Sequence, residues 1–264
     1  MSVSVSVTAG VATLTLERPA KRNAIDRAML VDLDEAVSAI EADPTAKVVV
    51  VRGAGGTFSA GADIADWVAP PHDVAAELSE LGKRAFRRLA GLPQPSVAAI
   101  EGTAIGGGFE LALACDVRIA THDARLGLPE LGLGNLPSWG GLARLVAVAG
   151  LGVTRHLLLT GELISGARAA ELLVVSNAVQ AADLEGAVDA VLTRLAAAEP
   201  RAVALSKQLL GDFERELSQE SAIAAYTAGL ESSRARKQDF LDRKAAARAA
   251  RNVQPRHDAE GANS

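Results

Sequence analysis

Two glycine-rich loops, each following a short run of β-branched residues, constrain this chain more than any other feature. Lys47–Arg52 reads as a buried strand and runs into Gly53-Ala-Gly-Gly-Thr-Phe-Ser-Ala-Gly-Ala-Asp63. Ser96–Glu101 is a second such strand and runs into Gly102-Thr-Ala-Ile-Gly-Gly-Gly-Phe-Glu110, which opens a helix through Ala114. The successive glycines Gly106, Gly107 and Gly108 let the backbone approach a ligand closely and turn straight into a helix. A helix starting there presents unpaired N–H groups and the positive end of its dipole, which suits a developing negative oxygen. The first loop, around Ala60 and Ala62, can add a second amide from residues small enough to leave room for a substrate. Two convergent donors make an oxyanion hole. Taken singly, each loop is more readily read as a tight turn. Their pairing, with carboxylates just beyond, points to chemistry.

Those carboxylates are Glu110 and Glu130. Glu110 lies two residues past the triple glycine, in the first turn of an otherwise apolar helix. Glu130 lies in Leu128-Pro-Glu-Leu-Gly132, again among apolar neighbours. Such surroundings raise a carboxyl pKa, as acid–base work near neutrality requires. The plainer readings are a helix N-terminal charge for Glu110 and a rim residue for Glu130. Rival motifs are weaker. Gly53-Ala-Gly55 suggests dinucleotide binding, but Phe58 stands where the third glycine belongs. Ser59 and Ser138 each miss one flanking glycine of a nucleophile elbow, at Thr57 and Leu136. Cys115 reads as a small core residue. The basic run from Arg234 to Lys237, with Arg243, Lys244 and Arg248, reads as a solvated helix face, with contact to a ligand phosphate as the alternative.

The rest of the chain supports an α/β fold. Val3–Thr8 and Val11–Leu16 flank Ala9-Gly10 as a hairpin, and Asp26 caps a helix running to about Ala42. Further helices are expected over Ala75–Ala90, Leu142–Ala149, Thr154–Leu159, Ser165–Leu172 and Leu184–Ala198. Strands are expected over Asp116–Ala120 and Val174–Val179, with a loop over Leu126–Pro137 between them. Residues 201–250 look helical with breaks near Gly211 and Gly229, and Asn252–Ser264 is polar and frayed. The expected division is therefore an α/β core over 1–198, a helical part over 199–251 and a disordered tail over 252–264. Net charge of −5 disfavours nucleic acid as a partner. One cysteine allows no internal disulfide, and four scattered histidines offer no metal-ligand spacing, so no metal is expected. The N-terminus lacks the pattern of a signal peptide, and no apolar run approaches the roughly 20 residues of a membrane span. A cytoplasmic protein without membrane contact is expected.

A known family carries the same motifs. Glu17-Arg-Pro-Ala-Lys-Arg-Asn-Ala24, Phe58-Ser-Ala-Gly-Ala-Asp-Ile64, Ala99 to Glu110, Cys115-Asp116, and Leu128-Pro-Glu-Leu-Gly-Leu-Gly134 running on to Pro137 resemble the enoyl-CoA hydratase/isomerase (crotonase) superfamily. The match runs from about Val5 to about Ala182. The resemblance implies a spiral of repeated ββα units and a C-terminal helical part used for contacts in a homotrimer or dimer of trimers. It implies coenzyme A bound in bent form as part of an acyl-CoA substrate, with no tightly bound cofactor. The amides of Ala62 and Gly107 would hold the thioester oxygen. Ala24, Ala60, Asp63 and Ile64 would line the adenine and pantetheine path, and Lys21 or Arg22 would approach the phosphates.

Hydratases of the family have glutamates at the positions of Glu110 and Glu130. The implied reaction is hydration of a trans-2-enoyl-CoA to a 3-hydroxyacyl-CoA, as in fatty acid β-oxidation. One departure concerns Pro137-Ser-Trp-Gly-Gly141, where hydratases usually carry glycine at the position of Ser138. Ser138 and Trp139 beside the water site are therefore expected to reshape the acyl pocket or to hold a different acyl group. The segment Leu230 to Arg236 also lacks the usual hydratase sequence. The alternatives are an enoyl-CoA isomerase, other CoA-enolate chemistry, or an acyl-CoA-binding protein without catalysis.

Overall fold

The computed structural model describes residues 1–68, 71–211 and 229–253. Strands β1 (Val3–Thr8) and β2 (Val11–Leu16) form the N-terminal hairpin. Its two turn residues are left-handed, with φ of 51° at Ala9 and 85° at Gly10, which matches the twist of the strands they join. Parallel strands follow: β3 (Val48–Gly53), β4 (Ser96–Ile100), β6 (Val117–Thr121) and β9 (Asn177–Val179), giving the order β1-β2-β3-β4-β6-β9. A second, smaller sheet contains β5 (Thr103–Ile105), β7 (Arg125–Gly127) and β8 (Ile164–Ser165).

The apolar runs of β3 and β4 are continuous because both faces of the sheet are covered. Val49, Val51, Ala98 and Ile100 point into the main core, which also holds residues of α1 (Arg27–Ala42), α2 (His72–Ala90) and α3 (Gly107–Leu113). Val48, Val50, Val97 and Ala99 point the other way, onto Leu184, Val188 and Leu192. Those three leucine and valine side chains lie in the helix Leu184–Ala196. The sequence β4-β5-α3 is one ββα turn of the expected spiral, placing a glycine loop between its short strand and its helix.

Several boundaries differ from the sequence reading. α2 begins at His72, three residues before the first periodic apolar position, Ala75. The segment read as a loop over Leu126–Pro137 holds the end of β7 and a 3₁₀ turn over Glu130–Leu133. The strand expected from Val174 shrinks to β9, because Val174 N and Val175 N donate to Ala169 O instead of to a neighbouring strand. α4 runs over Gly141–Thr160, and its length and apolar composition would suit a membrane span, contrary to expectation. Gly150, at φ 76° and ψ 166°, interrupts the helix and leaves two halves, each too short to cross a bilayer.

After α4 come α5 (Gly166–Glu171), α6 (Leu184–Ala196), α7 (Pro200–Gly211) and α8 (Glu231–Val253). The helix expected across residues 212–228 and the tail over 254–264 lie outside the described residues. α8 includes Asn252 and Val253, the first two residues of the expected tail. It packs against the 3₁₀ turns Ile64–Trp67 and Glu130–Leu133.

Asn23 ties the first glycine loop to this frame. It is buried and left-handed, at φ 52°, a conformation asparagine tolerates better than most residues. Its Oδ1 accepts from Arg18 N at 2.9 Å, and its Nδ2 donates to Ala54 O at 2.9 Å and Thr57 O at 2.8 Å. Asn23→Ala removes all three bonds and leaves their backbone partners buried. The expected loss is roughly 2–4 kcal/mol of stability, read from the urea midpoint.

Candidate active site

Ser59 is the hinge between the two glycine loops. Its N donates to Thr103 O at 2.8 Å, its O accepts from Ile105 N at 3.1 Å, and its Oγ donates to Asn23 O at 2.8 Å. Two residues on, Gly61 O accepts from Ile25 N at 2.8 Å and Asp63 N donates to Ile25 O at 2.8 Å. These bonds flank Ala62 on one side, so the Ala62 N–H is turned to the other. Gly61 has φ 87°, and a Cβ there would sit 2.5 Å from Ile105 O and 3.4 Å from Gly107 N. A Cβ on Gly108 would sit 2.6 Å from Ser59 O. The loops therefore touch where neither has room for a side chain. Gly106 N donates to Gly127 O at 2.9 Å, and α3 starts at the next residue. As the first residue of α3, Gly107 has an N–H with no acceptor inside the helix.

Both carboxylates are held against this junction. Glu110 is buried, and its Oε1 accepts from Trp139 N at 2.8 Å and Gly141 N at 2.9 Å, fixing the start of α4 to α3. A Cβ on Gly141 would lie 2.3 Å from Glu110 Cγ, so glycine is required for that approach. Glu130 opens the 3₁₀ turn. The residue as a whole is half-buried, yet Oε2 is shut off from solvent and has no hydrogen-bond partner among the described residues. Burial pushes the Glu130 carboxyl well above the ordinary carboxylate range, and the negative charge of Glu110 adds to the rise.

Ala62, Gly107, Glu110 and Glu130 line one cavity, together with Ile64, Trp67, Leu133, Asn135, Leu136, Ser138, Trp139 and Lys237. Among the described residues, no group of three His, Cys, Asp or Glu side chains is placed to hold a metal ion. Burial raises the Cys115 thiol to about 12, so this side chain is an unreactive part of the core.

The other candidates from the sequence fall in different places. Ile64, Ser138 and Trp139 face the cavity, whereas Pro137 is buried beside it without forming its lining. Trp139 packs edge-on to Phe86 with ring centroids 5.3 Å apart and lies 6.5 Å from Trp67. Ala24 is buried, and Ala60 is half-buried. Asp63 pairs with Arg18 at 3.2 Å and Lys21 at 3.3 Å and accepts from Ala65 N, so its side chain stabilises the loop. Lys21 and Arg22 are exposed on the surface.

Trp67 and Lys237 are cavity residues that the sequence reading did not single out. Lys237 also corrects one expectation, since it is only 1% exposed and does not join the solvated face of Arg234 and Arg236. A signal was present: Phe240 and Leu241 lie three and four residues later, which puts Lys237 on the apolar stripe of α8.

Comparison with known proteins finds relatives over most of the chain. A family model described as Enoyl-CoA hydratase/isomerase matches residues 6–243. The chain is 36% identical over 217 residues to the short-chain-enoyl-CoA hydratase of Clostridium acetobutylicum, covering 80% of this chain and 83% of that protein. It is 35% identical over 221 residues to the crotonyl-CoA hydratase of Syntrophomonas wolfei, covering 83% and 85%. The crystal structure of an enoyl-CoA hydratase/isomerase from Xanthobacter autotrophicus Py2 superposes with a TM-score of 0.84 at 30% identity, covering 95% of this chain and 98% of that one.

Proposed function

This chain belongs to the enoyl-CoA hydratase/isomerase family, and from that premise we propose a mechanism for hydrating trans-2-enoyl-CoA thioesters with Glu110 and Glu130. The observation that carries the reading is the placement of both carboxylates on one cavity beside Ala62 and Gly107. The amides of Ala62 and Gly107 donate hydrogen bonds to the thioester oxygen. Polarising that carbonyl makes the β-carbon electrophilic. Glu110 takes a proton from water as the water oxygen bonds to the β-carbon. Negative charge moves to the thioester oxygen, where the two amides stabilise it. Glu130, in its acid form, then gives a proton to the α-carbon. The pair ends with its proton exchanged from one carboxylate to the other, and transfer back or through solvent resets it.

The raised pKa of Glu130 supports the acid role, because an ordinary carboxyl would have lost its proton at neutral pH. The working state carries one proton on the pair. A second proton removes the base, and loss of the first removes the acid. The pH profile of kcat/KM is therefore expected to be bell-shaped, with apparent values that belong to the pair. Activity persists above the ordinary carboxylate range and falls as pH rises through the elevated Glu130 value. A stopped-assay series with crotonyl-CoA checks this, and a rate that keeps climbing on the alkaline side contradicts it.

Coenzyme A would enter as part of the substrate, with Ile64 along its path and Lys21 or Arg22 near its phosphates. Their exposure suits a nucleotide end lying at the surface. Assembly as a trimer or dimer of trimers is supported by exposed Leu205, Leu209 and Leu210 on α7. Retention of a carboxylate at Glu110, which an isomerisation does not require, favours hydration over the isomerase reading. The physiological role we assign is the hydration step of fatty acid β-oxidation.

A further inference from the structure

The cavity contains one charge that the hydration mechanism leaves unused. Lys237 reaches it from α8, which packs on the turns Ile64–Trp67 and Glu130–Leu133. Its side chain is 1% exposed, and its Nζ has no hydrogen-bond partner among the described residues. An ammonium so placed is costly, and an apolar residue of similar length would fill the space without that cost. Among the described residues, the charged group that acts on it is Arg234, which has the same sign. Neither Glu110 nor Glu130 serves as its counter-ion, although both line the same cavity.

We propose that Lys237 is a specificity residue whose ammonium receives a carboxylate at the far end of the acyl group, making ω-carboxylated enoyl-CoA thioesters the preferred substrates. This rests on the reading of the cavity as a thioester site. The reacting carbons lie with the two glutamates, neither of which hydrogen-bonds to Lys237 Nζ. The phosphates of coenzyme A belong at the solvent, whereas Lys237 is buried. The missing anion must therefore arrive on the part of the ligand that is itself buried, which is the acyl group. Trp67, Leu133, Leu136 and Trp139 supply apolar wall for the methylenes leading to it. Burial lowers the Lys237 pKa to about 8, so the group is still mainly protonated at neutral pH. A carboxylate brought beside it would restore the charged form.

The test uses binding of saturated thioesters, so it does not depend on turnover. Isothermal titration of the full chain compares ω-carboxyacyl-CoA with the matched methyl-ended acyl-CoA over a series from four to eight carbons, in wild type and in K237M. Wild type is expected to bind the carboxylated member at least about tenfold more tightly at its best chain length. K237M is expected to lose that preference while binding the methyl-ended thioester as well as before or better. A preference for the methyl-ended series at every length overturns the proposal, as does a carboxylate preference that survives in K237M. Equal weakening of both series in K237M also overturns it, showing a purely structural lysine. Hydration of crotonyl-CoA, measured in parallel, reports separately on the catalytic reading: the carboxylate preference can stand without turnover, and turnover can stand without the preference.

Discussion

Glu130→Gln is expected to lower kcat for hydration of crotonyl-CoA by about 10²–10⁴-fold while leaving KM nearly unchanged. Glutamine keeps the shape that fits over Gly106, where a Cβ would lie 2.8 Å from Glu130 Oε1. It has no carboxylic proton to give the α-carbon. Glu110→Gln is expected to cost a similar factor for the opposite reason. Its amide oxygen can still accept from Trp139 N and Gly141 N, so the start of α4 stays in place, but it cannot take a proton from water. Binding is expected to survive in both variants, because in the proposed mechanism the thioester oxygen is held by backbone amides that neither change touches. The double variant is expected to lose about as much as either single one, since the base that activates water and the acid that protonates the α-carbon act as a unit. Steady-state kinetics with urea-melt controls measures this, and wild-type kcat in either single variant would remove the two-glutamate mechanism.

Gly107→Ala is expected to damage stability and rate together. A Cβ at this position would lie 2.2 Å from Cζ3 and 2.6 Å from Cε3 of Trp139. The indole cannot move aside easily. A second glycine, Gly82, seats its other edge, where a Cβ would lie 2.3 Å from Nε1. Phe86 holds the ring edge-on at 5.3 Å. The backbone at residue 107 must therefore shift, and its N–H shifts with it. Overpacking of this kind costs roughly 1–3 kcal/mol of folding stability. A lost oxyanion donor costs about 10²–10³-fold in kcat. Adding Trp139→Leu makes room for the new methyl, so the double variant is expected to lie within about 1 kcal/mol of Trp139→Leu alone. Urea midpoints and kcat for the four proteins of this cycle separate the two effects. Lost stability with an unaltered rate would take the Gly107 amide out of the mechanism.

The features legible from sequence were those set by local rules. The β1–β2 hairpin has its expected bounds because strand alternation meets a turn that Ala9 and Gly10 can enter. α1 begins where Asp26 accepts from Met29 N at 2.8 Å. The convergence of Ala62, Gly107, Glu110 and Glu130 was legible because glycine is needed wherever two loops touch. Short pieces were not. β5 and β8 have three and two residues, too few to display a period, and they exist because neighbouring strands pair with them. The seat of Trp139 was hidden as well, since Gly82 on α2 and Gly107 on α3 meet only in the folded chain. Lys237 was masked by its neighbours. In a basic run it reads as solvated, and only the packing of α8 on two 3₁₀ turns buries it.

Single-turnover reaction of crotonyl-CoA in water enriched in both ¹⁸O and deuterium tests the central claim most directly. Mass spectrometry of the product is expected to show 3-hydroxybutyryl-CoA with ¹⁸O on the β-carbon and deuterium on the α-carbon. The rate of its formation is expected to collapse in both Glu110→Gln and Glu130→Gln. Unchanged crotonyl-CoA with wild-type protein, or a double-bond isomer without incorporated oxygen, would contradict the account.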